Sequence, residues 1–69
     1  MTALLDLTVN GESRCTAAAT IAALVQELGL KPDKVAVERN GTIVPRSTLA
    51  AAPLADGDVL EIVHFVGGG

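Results

Sequence analysis

The start of the chain carries an alternating apolar pattern followed by a turn signal. Leu5, Leu7 and Val9 fall on one side of an extended segment with polar residues between them, which is typical of a strand with one face toward a core. An Asn-Gly pair comes next and favours a tight hairpin turn, because both of its residues tolerate positive φ. The pattern predicts a β-hairpin whose return strand covers residues 12–15.

A helical pattern follows the hairpin. We interpret Thr20 as the N-cap, since its hydroxyl can accept a hydrogen bond from the first turn. The apolar residues after it recur at the spacing of one helix face, namely Ile21, Leu24, Val25 and Leu28. Gly29 suits the left-handed position after a helix, and Pro32 prevents continuation. We prefer this start to an earlier one near Thr16.

The second half of the chain predicts strands separated by turns. Residues 35–39 form a β-branched strand, a second Asn-Gly pair turns the chain, and residues 42–44 return until Pro45 ends the pairing. Residues 47–51 predict a single helical turn, and residues 56–58 have turn chemistry, with too few ligand positions for a calcium loop.

The last predicted strand covers residues 59–66 and carries apolar residues on both faces, which is typical of a central strand. One helix cannot cover two sheets, so we expect an α+β fold with a single mixed sheet and the helix packed on one face. The terminal strand is expected beside the first strand. We see no domain boundary.

Composition narrows the function classes. The 69 residues carry a formal charge of −3 and contain a single Cys and a single His. An acidic chain without a basic stripe argues against binding nucleic acid or an anionic membrane surface. One Cys and one His leave no internal disulfide and no zinc ligand set, so we expect no metal. A chain this short has little room for a deep catalytic pocket, which favours a binding or carrier module.

The N-terminal residues lack the basic segment that opens a signal peptide, and no apolar run approaches the roughly 20 residues of a membrane span. We therefore expect a reduced cytoplasmic compartment.

The three terminal glycines are the unusual feature. Gly67, Gly68 and Gly69 follow a strong strand directly. They could be a frayed end without a role, since termini are commonly disordered. The functional alternative is that the terminal carboxylate is the reactive group, because a tail without Cβ atoms can thread a narrow channel into another protein's active site.

Several segments together resemble a known family. They are residues 9–11, 20–21, 37–41, 43–46, 56–58, 61–63 and 65–69. In this order they resemble the ubiquitin-like sulfur carriers, most closely the ThiS family of thiamine thiazole biosynthesis. The resemblance implies a β-grasp domain of four to five strands over residues 1–66 and a flexible glycine tail over residues 67–69. The chain differs from many relatives at Thr48 and Leu49, near a position where they carry an aromatic residue, and in ending on three glycines instead of two.

The resemblance also implies a mechanism in which the chain is a substrate of larger proteins. An E1-like enzyme, ThiF, would use ATP to adenylate Gly69. A persulfide from a cysteine desulfurase system would convert the adenylate to a thiocarboxylate, and thiazole synthase, ThiG, would accept the sulfur. The chain itself would bind no cofactor, hold no catalytic residue and be a monomer alone. Related alternatives are the small subunit of molybdopterin synthase and a ubiquitin-like protein modifier; a third is an interaction module with an inert tail.

Side chains near the tail are candidates for partner docking. Val59, Val63 and Phe65 alternate with Leu60 and Ile62 along the last strand, so one set is expected under the helix and the other on the open side of the sheet. We predict docking on Val59, Val63 and Phe65 if the helix covers the other set.

The other singular side chains favour ordinary roles. Cys15 is expected to be a plain thiol, although it could take part in sulfur relay. His64 is expected to be an ordinary strand residue, although it could tune the local charge at a partner's active site. We interpret Arg39 and Arg46 as solvated surface charges instead of partners for acidic groups.

Overall fold

A computed structural model describes residues 3–65. The elements are β1 (Leu5–Val9), β2 (Glu12–Thr16), α1 (Ile21–Glu27), β3 (Val35–Arg39), β4 (Thr42–Val44) and β5 (Val59–His64). Short 3-10 helices at Pro32–Lys34 and Arg46–Thr48 connect them. The five strands form one sheet in the order β2-β1-β5-β3-β4.

The sheet is mixed, and its central strand comes last in the chain. β1 pairs antiparallel with β2, and β3 pairs antiparallel with β4. β5 lies between the two hairpins, parallel to β1 and antiparallel to β3. The predicted single sheet and the central terminal strand beside β1 are therefore confirmed.

The core lies between α1 and one face of the sheet. Its fully buried members include Ile21, Leu24 and Val25 from α1. The strands and loops supply the remainder, namely Leu7, Val9, Ala18, Val35, Val37, Leu49, Leu54, Leu60 and Ile62. Leu49 is only 1% exposed, so the segment after the second 3-10 helix also contributes to the core. Burial of these aliphatic groups is the main force that holds so small a fold together.

Both ends of the helix follow the sequence signals. The Thr20 hydroxyl accepts a hydrogen bond from the Ala23 N–H at 3.2 Å, as an N-cap does. At the other end Gly29 has a φ of 81°, and its N–H donates to the Gln26 carbonyl at 2.9 Å. The Leu30 N–H donates to the Val25 carbonyl at 3.1 Å, which completes a Schellman motif. The predicted start at Thr20 is confirmed.

Several bounds differ from the prediction, and β2 ends at Thr16 instead of at residue 15. β5 ends at His64, which pairs with Val35, the first residue of β3; the next backbone hydrogen bond, from the Phe65 N–H, goes to Lys34 of the preceding 3-10 helix and lies outside the ladder. The helical turn expected at residues 47–51 is the 3-10 helix Arg46–Thr48, which begins one residue earlier and ends three residues earlier. The 3-10 helix Pro32–Lys34 was not predicted, although a proline suits its first turn.

Candidate functional site

The strand that leads to the glycine tail is held by the first Asn-Gly turn. Asn10 has a φ of 50°, as this tight turn requires. Its side chain then takes over the ladder where β1 ends: the Ile62 N–H donates to Asn10 Oδ1 at 2.8 Å, and Asn10 Nδ2 donates to the Ile62 carbonyl at 3.1 Å. One side-chain amide thus mimics a strand residue and extends the pairing along β5.

The second Asn-Gly turn holds the start of the same strand. The Asn40 N–H donates to the Val59 carbonyl at 2.8 Å, and the Val59 N–H donates to Asn40 Oδ1 at 2.9 Å. Asn40 Nδ2 also donates to the Asp58 carboxylate at 3.0 Å. Asn-Gly pairs were expected only to turn the chain. Here both asparagines also anchor β5, one on each side, which local sequence signals do not reveal.

A buried carboxylate fixes the entry to β5. Asp58 is 5% exposed and accepts from Arg39 Nε at 2.8 Å and from the Ala55 N–H at 2.8 Å. Burial raises the pKa of Asp58, but the hydrogen bonds from Arg39, Ala55 and Asn40, together with the Arg39 charge, lower it more, so the pKa lies below its ordinary value. The expectation that Arg39 is a solvated charge is wrong, since this ion pair fastens β3 to the loop before β5.

Arg46 also has a partner within the chain. Its guanidinium carbon lies 5.4 Å from the centroid of the Phe65 ring, a cation–π contact. Arg46 is therefore more than a solvated charge. Phe65 lies directly after β5, and its N–H donates to the Lys34 carbonyl at 2.8 Å. Gly67, Gly68 and Gly69 lie outside the described residues, so the predicted flexible tail and the domain boundary at residue 66 are not tested.

The alternation along β5 sorts its side chains as expected. Leu60 and Ile62 lie under the helix at 0% and 6% exposure. Val59, Val63 and Phe65 are 48%, 59% and 43% exposed. We call the side of the sheet away from α1 the open face; its strand positions are Asp6, Thr8, Ser13, Cys15, Ala36, Glu38, Ile43, Val59, Glu61 and Val63. The structure thus leaves the predicted docking residues accessible, while docking itself stays a prediction.

The remaining candidate side chains lie apart from one another. Cys15 is exposed and lies opposite Asp6 at the β2 end of the open face, where it helps to line a hollow of about 520 Å³. His64 is exposed at the end of β5, opposite Val35. Among residues 3–65 no cluster of three or more His, Cys, Asp or Glu could hold a metal ion. Within the same range no helix is long and apolar enough to cross a membrane.

Known proteins share both this sequence and this architecture. The sequence model of the ThiS family matches residues 7–69. Sulfur carrier protein ThiS of Bacillus subtilis is 46% identical over 50 residues, which cover 72% of this chain and 76% of that protein. The crystal structure of the thiamine biosynthesis protein ThiS from Geobacter metallireducens superposes with a TM-score of 0.76 at 33% identity, covering 94% of this chain and 100% of that one.

A longer relative matches the chain over nearly its whole length. A thiazole synthase of Paramagnetospirillum magneticum is 53% identical over 66 residues, which cover 94% of this chain and 20% of the synthase. The chain spans about a fifth of the length of the thiazole synthases that it matches.

A five-stranded mixed sheet with one helix across it, and with the last strand of the chain at its centre, defines a ubiquitin-like β-grasp domain. With the family model matched over residues 7–69, the chain belongs to the ThiS family. Membership makes it a sulfur carrier domain of thiamine biosynthesis.

Proposed function

We propose that the protein carries sulfur as a thiocarboxylate on Gly69 and donates it for thiazole formation. The observation that supports this most directly is the match to the ThiS family, which extends through the terminal glycines to residue 69. The fold is consistent with the role, since β5 ends at His64, with only two residues between it and these glycines in the sequence. In this proposal the chain supplies the reacting carbonyl and its partners supply the catalytic groups, so it is a macromolecular substrate and not an enzyme.

The proposed chemistry follows from the weakness of a carboxylate as an electrophile. An E1-like adenylating enzyme of the ThiF type would transfer AMP from ATP to the Gly69 carboxylate and release pyrophosphate. A persulfide from a cysteine desulfurase system would attack the activated carbonyl and displace AMP, and reductive cleavage of the acyl disulfide by a thiol would leave the thiocarboxylate. The absence of Cβ atoms from Gly67, Gly68 and Gly69 would allow the backbone to approach the adenylating site closely.

Thiazole synthase is the proposed acceptor of the sulfur. Relatives 53% and 47% identical to this chain carry that name, and this supports a ThiG-type partner. We further propose that ThiF and ThiG dock on the apolar side chains of Val59, Val63 and Phe65, which are exposed along β5 and directly after it. The cytoplasm stays the predicted compartment.

The test is the mass of the intact chain after incubation with the adenylating enzyme, ATP and a sulfur source. We expect the mass of the chain to rise by the difference between one sulfur atom and one oxygen atom. A chain that lacks Gly68 and Gly69 is the matched control and should gain nothing while keeping the same thermal unfolding curve. No gain by the wild-type chain, with partners shown to be active on another carrier, would contradict the proposal. Isopeptide adducts to lysines in cells would favour a protein modifier instead.

A further inference from the structure

The strand positions of the open face carry charge of one sign only; Arg46, which stacks on Phe65 just beyond β5, is not among them. Of its strand positions, Asp6, Glu38 and Glu61 are acidic and none is basic. The two arginines that lie within strands belong to the other side of the sheet, where Arg14 pairs with Glu27 and Arg39 with Asp58. The charges on the helix side are therefore largely neutralised, and those on the open face are not.

Two of these carboxylates lie directly opposite each other. Glu38 on β3 and Glu61 on β5 are cross-strand partners, both are exposed, and among residues 3–65 neither forms an ion pair. Like charges at directly opposite positions destabilise a sheet. The arrangement costs the free chain stability, and a cation placed between the two carboxylates would relieve that cost.

The acidic pair borders an apolar hollow. Ala36, Ile43 and Val63 surround it together with Glu38 and Glu61, and its volume is about 140 Å³. Ile43 is 74% exposed and Val63 59% exposed, so apolar surface and unneutralised charge lie side by side. A side chain with an apolar stem and a cationic head matches both features, and the planar guanidinium of arginine can bridge two carboxylates.

We propose that this hollow receives an arginine side chain from the protein that processes the tail. The inference rests on the proposed carrier function and specifies the chemistry of its docking surface: an apolar patch over Ile43 and Val63, with an arginine held between Glu38 and Glu61. A second copy of this chain does not fit, because two open faces brought together would oppose carboxylates to carboxylates.

The test compares two double variants with the same change in net charge. Glu38→Gln with Glu61→Gln removes the acidic pair and keeps its shape, whereas Glu12→Gln with Asp33→Asn removes two exposed carboxylates away from the open face. Binding of the full chain to purified adenylating enzyme of the same organism is measured at several salt concentrations. We expect the first double variant to bind at least about tenfold more weakly, with a reduced salt dependence, and the second to bind within about twofold of wild type.

Thermal unfolding distinguishes a docking defect from a folding defect. Loss of the like-charge pair should leave the Tm of the Glu38→Gln/Glu61→Gln chain unchanged or raised. If that variant binds as wild type does, or if both double variants weaken binding equally, the inference is wrong while the carrier function stands. Self-association of wild type that the variant abolishes would also overturn it. A wild-type chain that neither binds the enzyme nor gains sulfur would overturn the proposed function as well.

Discussion

The Asp58 side chain connects three separate parts of the chain. Its carboxylate accepts hydrogen bonds from Arg39 on β3, from Asn40 in the following turn and from the backbone of Ala55. It is nearly inaccessible to solvent, so a buried charge is stabilised only by these donors. Without that charge, the side chain at position 58 would accept hydrogen bonds from the same donors more weakly.

Asp58→Asn should therefore destabilise the chain by about 2 kcal/mol at pH 7. The measurement is urea unfolding followed by circular dichroism. Asp6→Asn, an exposed position on β1, is the control and should change the free energy of unfolding by less than about 0.5 kcal/mol. Equal effects of the two substitutions would contradict the role assigned to Asp58.

Acid should remove the same contribution. The pKa of Asp58 is lowered by folding, so the ionised form favours the folded state. Its contribution is fully present above the ordinary pKa of about 3.8 and is lost as the pH falls through the lower folded pKa. The stability difference between wild type and Asp58→Asn should shrink as the pH drops below about 4, and a difference that stays constant would argue against this linkage.

At the level of the element, most of the fold could be predicted because its signals are local. The alternation in β1, the cap at Thr20 and the glycine at 29 each act within a few residues, and the structure confirms them. The pairing of Arg39 with Asp58 could not be predicted, since 19 residues separate them and spacing does not specify which carboxylate meets which guanidinium. The acidic pair on the open face depends in the same way on strand register.

The end of β5 positions the start of the tail. Because Asn10 holds this end, we expect it to contribute more to the free energy of unfolding than a turn residue usually does. Asn10→Gly keeps the positive φ but loses both hydrogen bonds to Ile62, so it should cost about 1–2 kcal/mol. Asn10→Ala adds left-handed strain and should cost about 1 kcal/mol more. Hydrogen exchange should then show faster exchange of the Ile62 amide in both variants. An unchanged Ile62 amide would contradict the ladder role of this side chain.

The start of α1 gives a second test at this scale. Thr20→Ala removes the hydroxyl that caps the Ala23 amide and should cost about 1 kcal/mol, which lowers the Tm by roughly 4–8 °C in a chain of this size. Thr20→Ser keeps a capping oxygen and should unfold close to wild type. Similar losses in both variants would indicate that the methyl group matters and not the cap.

At the scale of the whole molecule, the two sides of the sheet have different roles. One side of the sheet buries the core beneath α1, while the open face keeps apolar groups accessible next to the route to the tail. Residues that stabilise the fold and residues proposed to dock are thus largely different. The sequence left open which side the helix covers, because both sets of β5 side chains are apolar; only the assembled sheet decides it.

Substitutions on the open face should therefore weaken binding with little effect on stability, whereas substitutions in the core should mainly lower stability. Val63→Ser should weaken binding to the adenylating enzyme about fivefold or more and shift the Tm by only a few degrees, since the side chain is more than half exposed. Leu60→Ala should cost about 3 kcal/mol of stability, because its side chain is fully buried. Thr42→Ala, exposed on β4, is the control for binding. If the Val63→Ser chain binds as tightly as wild type does, this part of the open face is not a docking surface.

The position of β5 has a mechanical consequence. β1 and β5 run parallel, so forces that pull the start of β1 and the end of β5 in opposite directions load the hydrogen bonds between them in shear. The five paired positions with β3 and the Asn10 amide resist the same displacement. Under this load the hydrogen bonds must break together. In a hairpin that is pulled open from its ends, by contrast, they break one at a time. A protease that unfolds its substrates by pulling on the C-terminus would therefore find β5 hard to extract. Such mechanical resistance would protect a carrier whose C-terminus is bound repeatedly by other proteins.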